Sequence, residues 1–458
     1  MLNKALKRNK GITLIALVVT IIVLLILAGI SINALAGQNG ILNRAVESKE
    51  KTEVAQIEEA IKVAIMEAAT KGLGTITDAN LKEALNSAGI SSDKISGDET
   101  KGWKVTINET KYQIDTEGIM KVALPTVENT TIPYYPNSTF SYKEGDLESG
   151  LIIEDSSHNE YVWVEVPKTI YTDSKYNAGG TPGSSTEWKK IRDCLKAYTS
   201  DYSNSNYKDT NTDGTTYSVA YTNMLKSVYE NGGFWIGRYE AGYELREGEM
   251  PRDFGTDYST EHPITQKVVI KKNAYPYNWV RRDQAQTLAT GMNYENCTSS
   301  LIFGMQWDLV LKYIETKNAT TKADLTSDSK KFGNYYNSEL TLNRGKFAQY
   351  GALSKWYDFN SEEKSNLVTG SKKIAQNSYS NGILLTTGAT ENTNLQNIYD
   401  VAGNVYEWTL EFSDTRGPCV QRGGSYDNGG LNYPAKGRYG YGIIVSNFNI
   451  GFRVGLWK

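Results

Sequence analysis

The sequence predicts an α+β chain: a membrane helix, a small α+β unit on a helical stalk, and a larger α+β domain at the C-terminus. Three observations predict it. No charged residue occurs from Ile12 to Asn43, and about 20 apolar residues are enough to span a bilayer as a helix. From Ile41 to Thr70, apolar Val54, Ile57, Ile61, Val63 and Ile65 are interspersed with Glu53, Glu58, Glu59 and Lys62 at helical spacing. Beyond that, strand patterns at Lys101 to Val122, Glu160 to Pro167 and Asn231 to Glu240 share the chain with helical patterns at Val280 to Met292 and Gly304 to Ile314.

Met1 to Lys10 carries Lys4, Lys7, Arg8 and Lys10, and a basic flank stays cytoplasmic. The bulk of the chain is therefore expected outside the membrane. The apolar run, residues 12–36, ends at the small-residue break Gly37 to Gly40. Residues 37–123 then read as the amphipathic stalk followed by a short helix from Asp78 to Ala88, capped by Thr77 or Asp78. Two or three strands follow, with turns near Asn108-Glu109 and Thr116-Glu117-Gly118. Residues 124–138 hold Pro125, Pro133 and Pro136 among Thr and Asn, which predicts an extended linker. The distal domain is expected to occupy residues 139–458.

Within it, Thr199 to Thr222 is a polar tract that reads as a surface loop. Asp209, Asn211 and Asp213-Gly214 resemble the start of an EF-hand loop, but the position that needs Glu is Ala220. Asp283, Gln284 and Gln286 are expected on the wet side of the first distal helix. Trp307, Val310, Leu311 and Ile314 are expected on the packed face of the second. Phe332 to Asn381 reads as long polar loops.

Composition narrows the function. A net charge of −3 leaves no footprint for nucleic acid. Two histidines, His158 and His262, stand far apart and support neither a His-based metal site nor a Ser-His-Asp triad. Three cysteines, Cys194, Cys297 and Cys419, allow one bridge at most and do not say which. The 31 tyrosines, with abundant Asn, Ser, Thr and Gly, suit either a recognition surface or an ordinary β-rich extracellular domain.

The block Lys10-Gly11-Ile12-Thr13-Leu14-Ile15 resembles the type IV prepilin signal. The resemblance implies cleavage by a prepilin peptidase between Gly11 and Ile12, with residues 1–11 as leader and the helix retained. Ala16 stands where major pilins carry Glu, which fits a minor or non-assembling pilin-like protein. Pilus subunits would be its partners in that case, and an uncleaved type II anchor is the plain alternative.

Asn397 to Val454 contains Gly403-Asn404-Val405-Tyr406-Glu407-Trp408-Thr409, then Arg422-Gly423-Gly424-Ser425-Tyr426, then Gly451-Phe452-Arg453-Val454. In order and spacing these blocks resemble the formylglycine-generating-enzyme/sulfatase-modifying-factor family. The resemblance implies a C-type-lectin-like fold over roughly Asp155 to Val454. It also implies a structural Ca2+ held by Asp400 and Glu407 side chains and by Gly403 and Val405 carbonyls. The family's catalytic cysteine pair lies between the second and third blocks, where this chain has no Cys. The resemblance therefore implies the fold without the oxidase activity, and a binding module rather than an enzyme. Arg422 and Arg453 read as scaffold.

The expected ligand face lies between them: Tyr426, Asp427, Asn428, Asn432, Tyr433, Lys436, Arg438, Tyr439, Tyr441, Ser446, Asn447 and Phe448. A C-terminal segment of this kind on a surface anchor also resembles the variable proteins of diversity-generating retroelements. The expectation is thus a protein of the bacterial cell envelope, its distal domain outside, binding an extracellular protein or glycan. A minor pilin with a purely structural head is the alternative.

Overall fold

The computed structural model describes residues 41–209, 216–258, 260–361, 368–369, 372–373, 382–413 and 417–458. The Gly11–Ile12 processing site and the expected membrane helix lie outside the described residues. Among those described, no helix is long and apolar enough to cross a membrane. The chain divides into two compact units that meet in sequence between Ala123 and Leu124.

In the first unit a long helix, Ile41–Lys71, packs on a short one, Asp78–Ser87. Thr77 caps the short helix, and Asn80 completes the capping box. The buried stripe of the long helix is Ile61, Ala64, Ile65 and Ala68, positions that recur at i, i+3, i+4 and i+7. Val54 and Val63, expected in that stripe, are exposed. Val63 stands two residues beyond Ile61, which turns it to the far side of a 3.6-residue helix. Four antiparallel strands, Ile95–Asp98, Gly102–Ile107, Thr110–Ile114 and Met120–Val122, complete the unit. Asn108 and Glu109 take positive φ in the expected hairpin turn. Trp103 fills the core and donates its indole N–H to Asp78 at 3.1 Å.

The second unit is built on a six-stranded antiparallel sheet. Its spatial order is Thr298–Leu301, Val454–Trp457, Gly233–Gly237, Glu160–Glu165, Ile152–Glu154, Ser141–Glu144. The C-terminal strand thus lies inside the sheet, between strands far from it in sequence. A four-stranded sheet carries the site, in the order Arg438–Tyr441, Cys419–Arg422, Tyr406–Trp408, Ile450–Phe452. Its last pair is parallel.

The helix Gly304–Thr316 buries Trp307, Val310, Leu311 and Ile314, as expected. The helix Arg282–Thr290 differs from expectation. Gln284 is buried and donates to the His262 carbonyl at 2.8 Å. Gln286 accepts from Ser300 and from the Leu301 amide. Both amides bridge elements that pattern alone cannot pair.

Residues 124–138 are not a free linker. Thr131, Pro133, Tyr134 and Pro136 are buried. Trp163 donates to Thr131 Oγ1 at 2.7 Å, and Trp235 donates to the Tyr134 carbonyl at 2.8 Å. A buried indole N–H needs an acceptor, and this segment supplies two. The second unit therefore begins at Leu124, not near Thr139. The polar tract after Thr199 is also partly structured. Tyr207–Lys208 pairs with Phe412–Ser413, and the helix Thr216–Asn231 covers its end.

Candidate ligand-binding surface

Strand alternation divides the four-stranded sheet into two chemistries. Glu407 lies opposite Arg422, and Arg422 opposite Arg438. On the other face Trp408 lies opposite Gln421, and Gln421 opposite Tyr439. Successive side chains on a strand point to opposite faces, so the charges share one side and the aromatics the other.

The charged side is closed by buried ion pairs. Arg453 binds both Glu407 oxygens, with Nη2 at 2.6 Å from Oε1, and donates to the Gly237 and Tyr399 carbonyls at 3.0 and 2.8 Å. Arg422 reaches Asp308 at 2.8 Å and Glu411 at 3.2 Å. Arg438 grips the same two acids at 2.6 and 2.7 Å. Burial alone would lower the Arg453 guanidinium, but the Glu407 charge raises it above its ordinary value. Both scaffold arginines are thus where the sequence puts them.

A tight turn holds the first block. Asn404 donates to Glu240 at 2.7 Å and accepts from Asn334 and the Leu385 amide. Gly403 has φ +71°, and a Cβ there would sit 2.4 Å from the Asn334 carbonyl oxygen. Gly403→Ala is expected to cost about 1–3 kcal/mol through backbone strain alone. A urea-unfolding midpoint unchanged from the parent's would contradict this.

The expected Ca2+ donors do not fit an ion here. Asp400, Val405 and Glu407 are all buried. Glu407 spends both oxygens on Arg453, Asp400 accepts the Gly388 amide at 2.8 Å, and Ca2+ needs six to eight oxygens. No group of three or more His, Cys, Asp or Glu among the described residues is arranged to hold a metal.

The EF-hand-like start is likewise diverted. Asp209 accepts the Gly304 and Met305 amides at 2.6 and 2.9 Å, at the N-terminus of a helix. Asn211 and Asp213 lie outside the described residues. Burial, with Glu411 nearby, pushes the Asp209 carboxyl up to about 7. Its folded pKa exceeds its unfolded one, so its contribution is full below about 4 and fades as pH rises through 7. Asp209→Asn is expected to flatten the fall in melting temperature between pH 5 and pH 7.5. An undiminished slope would show that Asp209 is not the group responsible.

On the aromatic side Tyr406 and Trp408 are buried, Tyr439 is half-buried, and Tyr441 reaches the surface. Tyr433 and Tyr439 pack at 4.9 Å and Tyr406 and Tyr439 at 5.4 Å, while Tyr441 leans on Trp408 at 6.5 Å. Tyr439 donates to the Asn432 carbonyl at 2.9 Å, tying the 431–433 turn to the strand. Leu431, Tyr441, Ile443 and Ile444 are 64%, 38%, 63% and 52% exposed. Clustered exposed apolar side chains mark interaction surfaces.

Of the expected face, Asn432 and Tyr441 are exposed, and Tyr433, Lys436 and Tyr439 half-buried beside them. Asn447 and Phe448 are half-buried too, with Phe448 in a separate cluster around Trp279 and Tyr350. Asp427 and Asn428 are turned inward. Asp427 is tied to Ser425 and Asn449, and burial raises its carboxyl; Asn428 accepts from Ser425. Three expectations are corrected. Tyr426 and Ser446 are fully buried, and Arg438 is consumed by Asp308 and Glu411. Leu431, Ile443 and Ile444 were missed; the signal was an apolar pair, Ile443-Ile444, in a glycine- and tyrosine-rich run.

All three thiols are unpaired. Burial raises each of them, Cys297 to about 12, whereas a reactive cysteine needs the opposite shift.

No protein-family model matches the chain, and no curated protein matches it. Among solved structures, the Treponema denticola variable protein 1 is similar over 78% of this chain and 98% of that one, at 12% identity and a TM-score of 0.19. At that score the likeness does not establish a common fold.

Proposed function

We propose that this chain is a surface-displayed, adhesin- or receptor-like binding protein. Its second unit meets an extracellular ligand through the face formed by Leu431, Asn432, Tyr433, Lys436, Tyr439, Tyr441, Ile443 and Ile444. One observation carries this reading. A segment bracketed by the buried pairs of Arg422 and Arg453 exposes Leu431, Tyr441, Ile443 and Ile444 and leaves Tyr433 and Tyr439 half-buried. Rigid anchors beneath an apolar, aromatic face are what a hot spot requires. The raised thiols favour binding over thiol chemistry. A prepilin-like anchor in a bacterial envelope remains part of the proposal, on the Lys10 to Ile15 block.

The test uses the full chain on an array of immobilised proteins and glycans. A feature bound by the parent and lost by L431S/Y441S/I444S supports the reading; a variant that binds like the parent ends it. Diversification by a retroelement is the finer reading, motivated by the Tyr/Asn-rich composition of this segment. Population sequencing of the coding DNA is expected to show substitutions at the codons for exposed Asn432 and Tyr441 and half-buried Tyr439, and none at Arg422 or Arg453. A uniform sequence would leave a binder of fixed specificity.

A further inference from the structure

We infer that the second unit holds another binding site, for a saccharide bearing a carboxylate. It is a pocket of about 510 Å³ formed by the Asp155–Asn159 turn, the segment Gln266–Val268 and the end of the helix Arg282–Thr290 with the residues after it. No residue of the 422–454 segment lines it. The volume lies within the range of small-molecule sites and accommodates one or two sugar rings.

The floor is built and rigid. Asp155 Oδ1 accepts the Ser157 and Asn159 amides at 2.8 and 2.9 Å. Its Oδ2 accepts Asn159 Nδ2 at 2.8 Å and the Tyr294 hydroxyl at 2.7 Å. Tyr161 completes the chain at 3.1 Å from Tyr294. With both oxygens used, Asp155 is a structural acid and not a receptor for a cation.

The walls differ from each other. Val268, Leu288 and Met292 give an apolar strip, while Ser156 and Asn293 bring a hydroxyl and an amide. Among the described residues, neither of those two side chains makes an internal hydrogen bond. A sugar ring has the matching anatomy, with C–H bonds on one face and hydroxyls at the edge. Lys267 stands exposed at the rim without an ion pair to the described residues. A free ammonium beside neutral amides and hydroxyls selects an anionic substituent, hence a carboxylated sugar over a neutral one.

Saturation-transfer NMR of the full chain with glucuronate, and separately with glucose, tests this. Glucuronate is expected to bind saturably, and Lys267→Met to weaken it roughly tenfold, the worth of one charge-assisted hydrogen bond. Asn293 has φ +41°, so Asn293→Gly removes the amide while keeping a backbone that glycine tolerates; it should weaken glucuronate as well. L431S/Y441S/I444S should bind glucuronate like the parent, which separates this site from the recognition face. No saturable transfer from glucuronate, or equal binding by Lys267→Met, would overturn the assignment.

Discussion

Arg453→Met is expected to destabilise the second unit by about 3–5 kcal/mol, the cost of leaving a buried carboxylate without its partner. Arg453 is fully buried and meets Glu407 through three contacts of 2.6 to 3.1 Å. Glu240 and Asp400 lie close enough to act on the same locus, and burial, followed by the charges of Asp400 and Glu407, pushes Glu240 well up. Removing the guanidinium therefore leaves acids repelling one another in a low dielectric, and two carbonyls, of Gly237 and Tyr399, without a donor. Arg453→Met with Glu407→Leu should recover much of the loss, because apolar replacement of a whole buried pair is often neutral. Urea unfolding followed by tryptophan fluorescence reads both. A loss under about 1 kcal/mol for the single variant would mean that Arg453 is not an anchor.

L431S/Y441S/I444S should behave in the opposite way. These side chains are 64%, 38% and 52% exposed, so little core packing is removed and stability should stay within about 1.5 kcal/mol of the parent, about 0.5 kcal/mol for each substitution. Binding should fall by about 2–4 kcal/mol if the face contains a hot spot, which is roughly thirty-fold or more. The split is the informative part. A structural role would lower stability, and a bystander role would move neither quantity.

The anchors were legible in the sequence because Arg422 adjoins Gly423, and Arg453 adjoins Phe452 with Gly451 and Gly455 two residues to either side. The strands at Glu160 and Gly233 were legible as short runs rich in aromatic and β-branched residues, buried on both faces, and the helix at Gly304 from its spacing. What could not be read depends on partners distant in sequence. Thr131 and Tyr134 look like linker residues until Trp163 and Trp235 are seen to donate to them. Lys436 and Arg438 look alike in the sequence. Only the strand register sends Arg438 inward to Asp308, while Lys436 lies before the strand begins at Arg438. Glu407 reads as a Ca2+ donor by resemblance, and only the fold shows Arg453 occupying it.

The most direct measurement is a residue-by-residue scan from Arg422 to Val454 in the full, displayed chain. Each variant is scored for display and for capture of the array feature that the parent binds. Substitutions at Leu431, Tyr433, Tyr439, Tyr441, Ile443 and Ile444 should lose capture and keep display. Those at Arg422, Tyr426, Arg438, Ser446 and Arg453 should lose display first. Capture that survives throughout the first set would contradict the account, because the exposed face would then not be where this protein meets its ligand.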